Sequence, residues 1–164
     1  MILGKIASWA NIVQAIFVVV SVLIVLHELR LNTKLKKAAN THSLVELSSP
    51  FNLQLIQDPK MADLWVNGAE EYPKMEKVKK YQYKSLLIWW LILHENIYHQ
   101  NKEHLLEKRI YEGWESDLKD FIKKQNLAQI WDNLKHNFEF GFAESVTKLI
   151  KEHKSVSPAP KIEE

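Results

Sequence analysis

At 164 residues and a formal net charge of +2, the chain has room for one membrane helix plus a domain of roughly 110–120 residues, and lacks the basic excess of a nucleic-acid binder. Four glycines and five prolines are too few for the many turns of an all-β fold. With no cysteine, a disulfide framework, a thiol nucleophile and a cysteine zinc site are all excluded.

Residues 12–26 read IVQAIFVVVSVLIVL, with Gln14 and Ser21 as the only polar side chains. Taken back to Ile6, the stretch reaches the roughly 20 residues needed to cross a bilayer core. Trp9 stands near one end, where an indole favours the membrane interface, and His27, Glu28 and Arg30 mark the other. A cleavable signal peptide would show a shorter apolar core and a small-residue cleavage site, whereas HELRLNTKLKK follows here. Only Lys5 lies upstream, while Arg30, Lys34, Lys36 and Lys37 follow closely downstream. The positive-inside rule then places the C-terminal side in the cytoplasm, at the inner (plasma) membrane. Those four cations can also rest on anionic headgroups. Gln14 and Ser21 are seven apart, on nearly one face, and could hold two membrane helices together.

Residues 28–57 continue as a juxtamembrane helix. Leu31, Leu35, Ala38, His42 and Val45 have heptad spacing, but Ala38 and His42 suit a seam poorly, so a coiled-coil dimer competes with packing on the chain's own domain. Pro50 is expected to kink or restart the helix.

A helical bundle is expected over 58–153. Asp58-Pro59 starts its first helix, an N-cap followed by proline at the first helical position, with Met61, Leu64 and Trp65 inward and Gly68 and Pro73 near the end. The central helix is expected over 74–100. Its core, LLIWWLIL at 86–93, spans only about 12 Å of helix, too short to cross a membrane. It reads as a covered bundle helix, with an interfacial segment as the alternative. After a short connection at 101–103, Leu106, Ile110, Trp114, Leu118 and Phe121 predict an amphipathic helix over 104–124. Gln125-Asn126 breaks it. Trp131, Leu134, Phe138, Phe142, Val146 and Leu149 mark one face of a last helix, and 154–164 reads as a disordered tail. The fold class is all-α: a transmembrane helix over 1–27 and an antiparallel bundle of about four to five helices.

Asp58-Pro59 with Leu64-Trp65, the Glu95-Asn96-Ile97-Tyr98 step, and Trp114, Trp131, Phe138 and Phe142 carry a resemblance. The chain resembles uncharacterised bacterial single-span membrane proteins with a small C-terminal helical domain. That set often has a proline before the final helix, where this chain has Gln125-Asn126-Leu127. The resemblance implies topology and fold, and no activity.

The densest polar cluster is HENIYHQNKEH, from His94 to His104. Glu95 and His99 share a helix face. HENIYH has one residue too many for the zinc-protease helix, which needs histidines four apart. A metal held by Glu95 and His99 with ligands from another helix is one reading. The other pairs Glu95 structurally, for example with Arg109, and leaves His94 and His99 on the rim. Asn96 and Tyr98 complete the candidate cluster. Ser48 and Ser49 have no visible base, and Glu70-Glu71 lie in a polar loop. Lys77, Lys79, Lys80, Tyr81, Tyr83 and Lys84 mix basic and aromatic character, fit for phosphate or headgroups or simply a solvated helix start.

The first functional expectation is a membrane-anchored, non-catalytic interaction or signalling module, its partners membrane lipids and a protein or a second copy, with no cofactor and no nucleic acid. The alternative is a membrane-tethered metal-binding or enzymatic bundle centred on Glu95 and His99, and a third reading has a homo-oligomer acting on the membrane itself.

Overall fold

The computed structural model describes residues 2–156, with side chains at 9, 11 and 13–153. It is all-helical, with no strand among the described residues: α1 (Ile2–Gln57), α2 (Pro59–Glu71), α3 (Lys77–Lys102), α4 (Lys108–Lys124), α5 (Trp131–Leu134) and α6 (Phe140–Val156). Short 3-10 turns at Tyr72–Lys74, Leu127–Gln129 and Lys135–Asn137 join them. The chain divides into two compact units between Asn40 and Thr41, inside the segment read from the sequence as one juxtamembrane helix.

The first unit is the N-terminal part of α1. Its apolar stretch is long and apolar enough to cross a membrane, and none of its most apolar window is buried. Ile16, Phe17 and Leu23 are all more than half exposed. The Ser21 hydroxyl donates to the Phe17 carbonyl at 2.8 Å, so its hydrogen bond is made within its own helix. Trp9, Gln14, Arg30, Lys34 and Lys36 are exposed and Lys37 is half-buried.

The second unit begins with the last turns of α1. The helix runs through Pro50 without the restart expected there. A proline inside a helix withholds one N–H and costs about 3 kcal/mol. Packing at the next residue offsets that cost, while the serine hydroxyls before the proline bond within the helix. The Ser48 and Ser49 hydroxyls donate to the Val45 carbonyl at 3.1 and 2.7 Å in the same turn. Phe51, the next residue, is 5% exposed and stacks on Trp89 at 4.7 Å.

Asp58 caps α2 as its sequence indicates: its carboxylate accepts from the Lys60 and Met61 amides at 2.9 and 3.4 Å. The apolar run at 86–93 lies in α3 and packs into the bundle, with Leu86, Leu87, Leu91 and Leu93 buried and Ile92 half exposed. Leu44 packs on Leu93 and Ile97, whereas Phe51 meets Trp89 and Trp90, so α1 and α3 run antiparallel.

Helix starts differ from the sequence reading at three places. The central helix expected over 74–100 spans Lys77–Lys102. The helix expected over 104–124 begins at Lys108. His104 is left-handed (φ 56°) and closes α3, with the Leu105 amide bonded back to the Gln100 carbonyl at 2.8 Å. Leu106 then turns into the core. Asn126, also left-handed (φ 45°), closes α4. The aromatic stripe from Trp131 to Leu149 is not one helix either. The chain goes extended at Phe138, and α6 starts only after it. Stacking of Phe138 on Trp131 at 5.8 Å and a Trp131 Nε1 bond to Thr147 Oγ1 at 2.8 Å hold this broken segment against α6. Of the tail expected over 154–164, residues 154–156 are helical and the rest lie outside the described residues.

One buried polar chain locks α2, α3 and α4. Tyr83, with no exposed surface, donates its hydroxyl to Gln125 Oε1 at 2.9 Å, and Gln125 Nε2 donates to the Trp65 carbonyl at 3.1 Å. Burial raises the Tyr83 pKa well above its usual value. Gly68 lets the Tyr83 ring come this close, since any Cβ at 68 would fall within 3.0 Å of it. Gly68→Ala is therefore expected to destabilise the bundle by about 1–3 kcal/mol, the usual cost of overpacking. Tyr83→Phe, which leaves Gln125 Oε1 without its donor, should cost about as much. Thermal unfolding followed by tryptophan fluorescence checks both, and a Gly68→Ala variant melting with the parent would exclude the close packing.

Candidate functional site on the central helix

The C-terminal half of α3 carries the polar cluster singled out in the sequence, and the fold sends its members in different directions. Glu95 reaches across to the end of the broken segment, where its Oε1 accepts from the Glu139 amide at 2.6 Å. Its partner is thus a backbone N–H and not Arg109. Glu139 in turn is the N-cap of α6, its Oε2 accepting from the Phe142 amide at 3.0 Å. Two carboxylates therefore satisfy amides at one helix start, where N–H groups have no partner within the helix. The Gly141 and Phe142 amides hold the Glu139 carboxyl below the usual glutamate range.

Asn96 is exposed and accepts from Gln100 Nε2 one turn on. His99 is exposed, its ring 5.5 Å from that of Tyr98. Tyr98 is half-buried, packed on Phe142 at 5.7 Å with Lys102 Nζ 5.2 Å above its ring. Gly141 leaves room for the Tyr98 hydroxyl, which a Cβ there would meet at 3.0 Å. Glu95 and His99 recruit no further ligand. Among the described residues no group of three or more His, Cys, Asp or Glu side chains is placed to hold a metal ion.

His94 departs from expectation most. Read as a rim residue, it is 3% exposed. Its Nε2 lies 3.1 Å from Asp117 Oδ2, and Trp90 and Trp114 meet its ring edge-on, each at 5.7 Å. The signal was present in the spacing: Tyr83, Leu87, Trp90, His94 and Ile97 recur every three or four residues, so the core stripe passes through His94. Asp117 sits one turn after Trp114 and supplies the buried ring with a polar partner.

Two clefts adjoin this region, and Tyr98 lines both. One of about 300 Å³ lies among α3, α4 and α6, walled by His94, Tyr111 and Trp114 and rimmed by Glu115, Lys119 and Lys148. Glu115 and Lys119 are paired at 2.8 Å, and burial raises the Tyr111 pKa. The other, about 840 Å³, is an open trough along α6 lined by Lys135, His136, Phe140 and Lys151. Ser145 lines both, but it is hydrogen-bonded neither to His136 in the trough nor to His94 in the smaller cleft, so no nucleophile–base pair is formed among the described residues.

No family model, curated protein or solved structure matches the chain. The resemblance to single-span bacterial proteins thus rests on the residues quoted above.

Two outcomes follow from the paired carboxylates. Glu95→Ala removes the acceptor of the Glu139 amide and should cost about 1 kcal/mol, as loss of a cap does. Glu139 has a depressed pKa in the folded state, so its stabilisation is present above the ordinary glutamate pKa and is lost as pH falls through the lower folded value. Glu139→Gln should flatten the acid limb of the stability–pH curve and leave its neutral limb parallel to the parent. Chemical denaturation at a series of pH values measures this, and unchanged steepness at acid pH would refute the capping role.

Proposed function

We propose that the chain is a membrane-anchored, non-catalytic interaction module, with the N-terminal part of α1 spanning the inner membrane and the bundle in the cytoplasm. The observation that carries this reading is the apolar stretch of α1, exposed on every side along a length that matches a bilayer. Soluble proteins rarely leave contiguous apolar patches of this size bare. The cytoplasmic orientation is supported by Arg30, Lys34, Lys36 and Lys37 after the stretch, against Lys5 before it. The resemblance to single-span bacterial proteins points the same way. Ser21 donates within its own helix, and Gln14, exposed on nearly the same face, has the donors and acceptor to pair anchors in a homo-oligomer.

The non-catalytic reading is supported by how the polar cluster is used. Glu95 serves a helix start, His94 a core contact and Asn96 its own helix, so the metal-binding alternative gains no ligand set from the fold.

Alkaline carbonate should leave the full chain in the membrane pellet, whereas Val18→Lys combined with Leu23→Lys should release it. A cysteine-free parent makes topology easy to read. With single cysteines at Ser8 or at Glu112, an impermeant maleimide added to intact spheroplasts should label only the first. Labelling of Glu112→Cys alone would reverse the orientation, and a carbonate-soluble parent would remove the anchor.

A further inference from the structure

We infer that the groove between the last turns of α1 and the first turns of α3 is a docking site for an amphipathic helix with acidic flanks, supplied by a partner protein. The inference deepens the interaction-module reading and rests on it. Pro50, Phe51 and Gln54 form one wall of the groove and Tyr81, Ser85 and Trp89 the other, around about 330 Å³. Tyr81, Ser85 and Trp89 recur once per turn over about 12 Å of α3, Pro50 to Gln54 cover about 6 Å of α1, and Met61 of α2 also lines the hollow. A depression of this length receives the apolar side chains of two successive turns of a third helix.

Tyr81 divides this groove from a second recess of about 470 Å³, lined by Met75, Lys77, Lys80 and Lys84. No carboxylate lines either hollow. The neighbouring Lys79 is neutralised by Glu71 at 2.7 Å, whereas Lys77, Lys80 and Lys84 form no ion pair among the described residues. Lys80 donates to the Pro73 carbonyl and lies 5.6 Å over the Tyr72 ring, so its charge is positioned and not neutralised. Apolar side chains are left uncovered at the same place: Tyr81 is 73% and Val78 69% exposed, and Val78 lies one turn before Gln82 on the groove side. A bare apolar slot beside three unneutralised lysines is complementary to apolar anchors flanked by glutamates or aspartates.

The test uses the full chain in nanodiscs of neutral lipid, carrying a single Gln82→Cys labelled with an environment-sensitive fluorophore. The probe is a designed 18-residue amphipathic helix with leucines on one face and glutamates beside them, against the same peptide with lysines for glutamates. The glutamate peptide should bind at least tenfold more tightly. Lys77→Glu, Lys80→Glu and Lys84→Glu together should erase or invert that preference, while melting and the fluorescence of the folded bundle stay at parental values. Ser85→Trp, which fills the slot, should weaken the glutamate peptide about tenfold or more. Equal binding of both peptides, or binding that survives Ser85→Trp, overturns the proposal. So does a fluorophore response to anionic vesicles alone, or to a second copy of the chain at rising density in the nanodisc. A photocrosslinker placed at Tyr81 and, separately, at Phe140 in cells separates the two readings. A partner captured at Phe140 only would sink the groove and leave the interaction-module reading standing.

Discussion

Phe51 is the contact on which the architecture of the bundle turns. Its ring stacks on Trp89 at 4.7 Å, meets Trp65 edge-on at 4.9 Å and leans on Trp90 at 5.2 Å. One residue of α1 therefore reaches α2 and α3 together. Burying a large apolar side chain is worth about 1.5–3 kcal/mol, and aromatic pairs of this geometry add about 0.5–1.5 kcal/mol each. Those gains sit directly beside Pro50, whose place inside a helix costs a comparable amount. The helix can pass through a proline because its neighbour is held by three aromatic rings.

The same contact determines what becomes of the most apolar part of α3. Trp89 and Trp90 are half-buried and spend their faces on Phe51, Trp65 and Trp114. Leu86, Leu87, Leu91 and Leu93 fill the core on either side. A run of apolar residues too short to cross a bilayer is thus consumed by the bundle. The apolar stretch of α1 finds no such cover, although its composition is similar. Length and the absence of packed neighbours, more than hydropathy, separate the roles of the two runs.

Much of the fold was legible because its signals are local. Asp58-Pro59 starts a helix through chemistry contained in four residues, and Gln125-Asn126 ends one through the tolerance of asparagine for a left-handed backbone. The errors arose where a distant group decided the outcome. The stripe from Trp131 to Leu149 has helical spacing, yet the helix begins only at Phe140, because Glu95, 44 residues earlier, supplies an acceptor to the Glu139 amide. No window around Phe138 contains that information. His104 similarly looked like a helix start, but the preceding helix needed a left-handed terminator. His94 is the opposite case. The core stripe ran through it in plain view, and the polarity of imidazole obscured a buried position that only Asp117 makes tolerable.

These errors bear on function because they concern the polar residues that first suggested chemistry. A cluster of Glu, Asn, Tyr and His on one helix invites a catalytic reading only while its side chains are uncommitted. Here Glu95 faces α6, His94 faces α4, and Asn96 turns back on α3. Each is absorbed by a different structural need, so their proximity in sequence is a consequence of α3 being the central helix, which every other element must contact. In a bundle of this kind polar groups on the central helix are bound to meet partners. The informative groups are those left uncovered or without a counter-charge among the described residues, and they lie on the periphery: the bare apolar face of α1, and the lysines and open aromatic slot at the start of α3. Packing thus accounts for the interior polar groups of α3, and leaves the exposed apolar and basic surface unexplained by the fold's own needs.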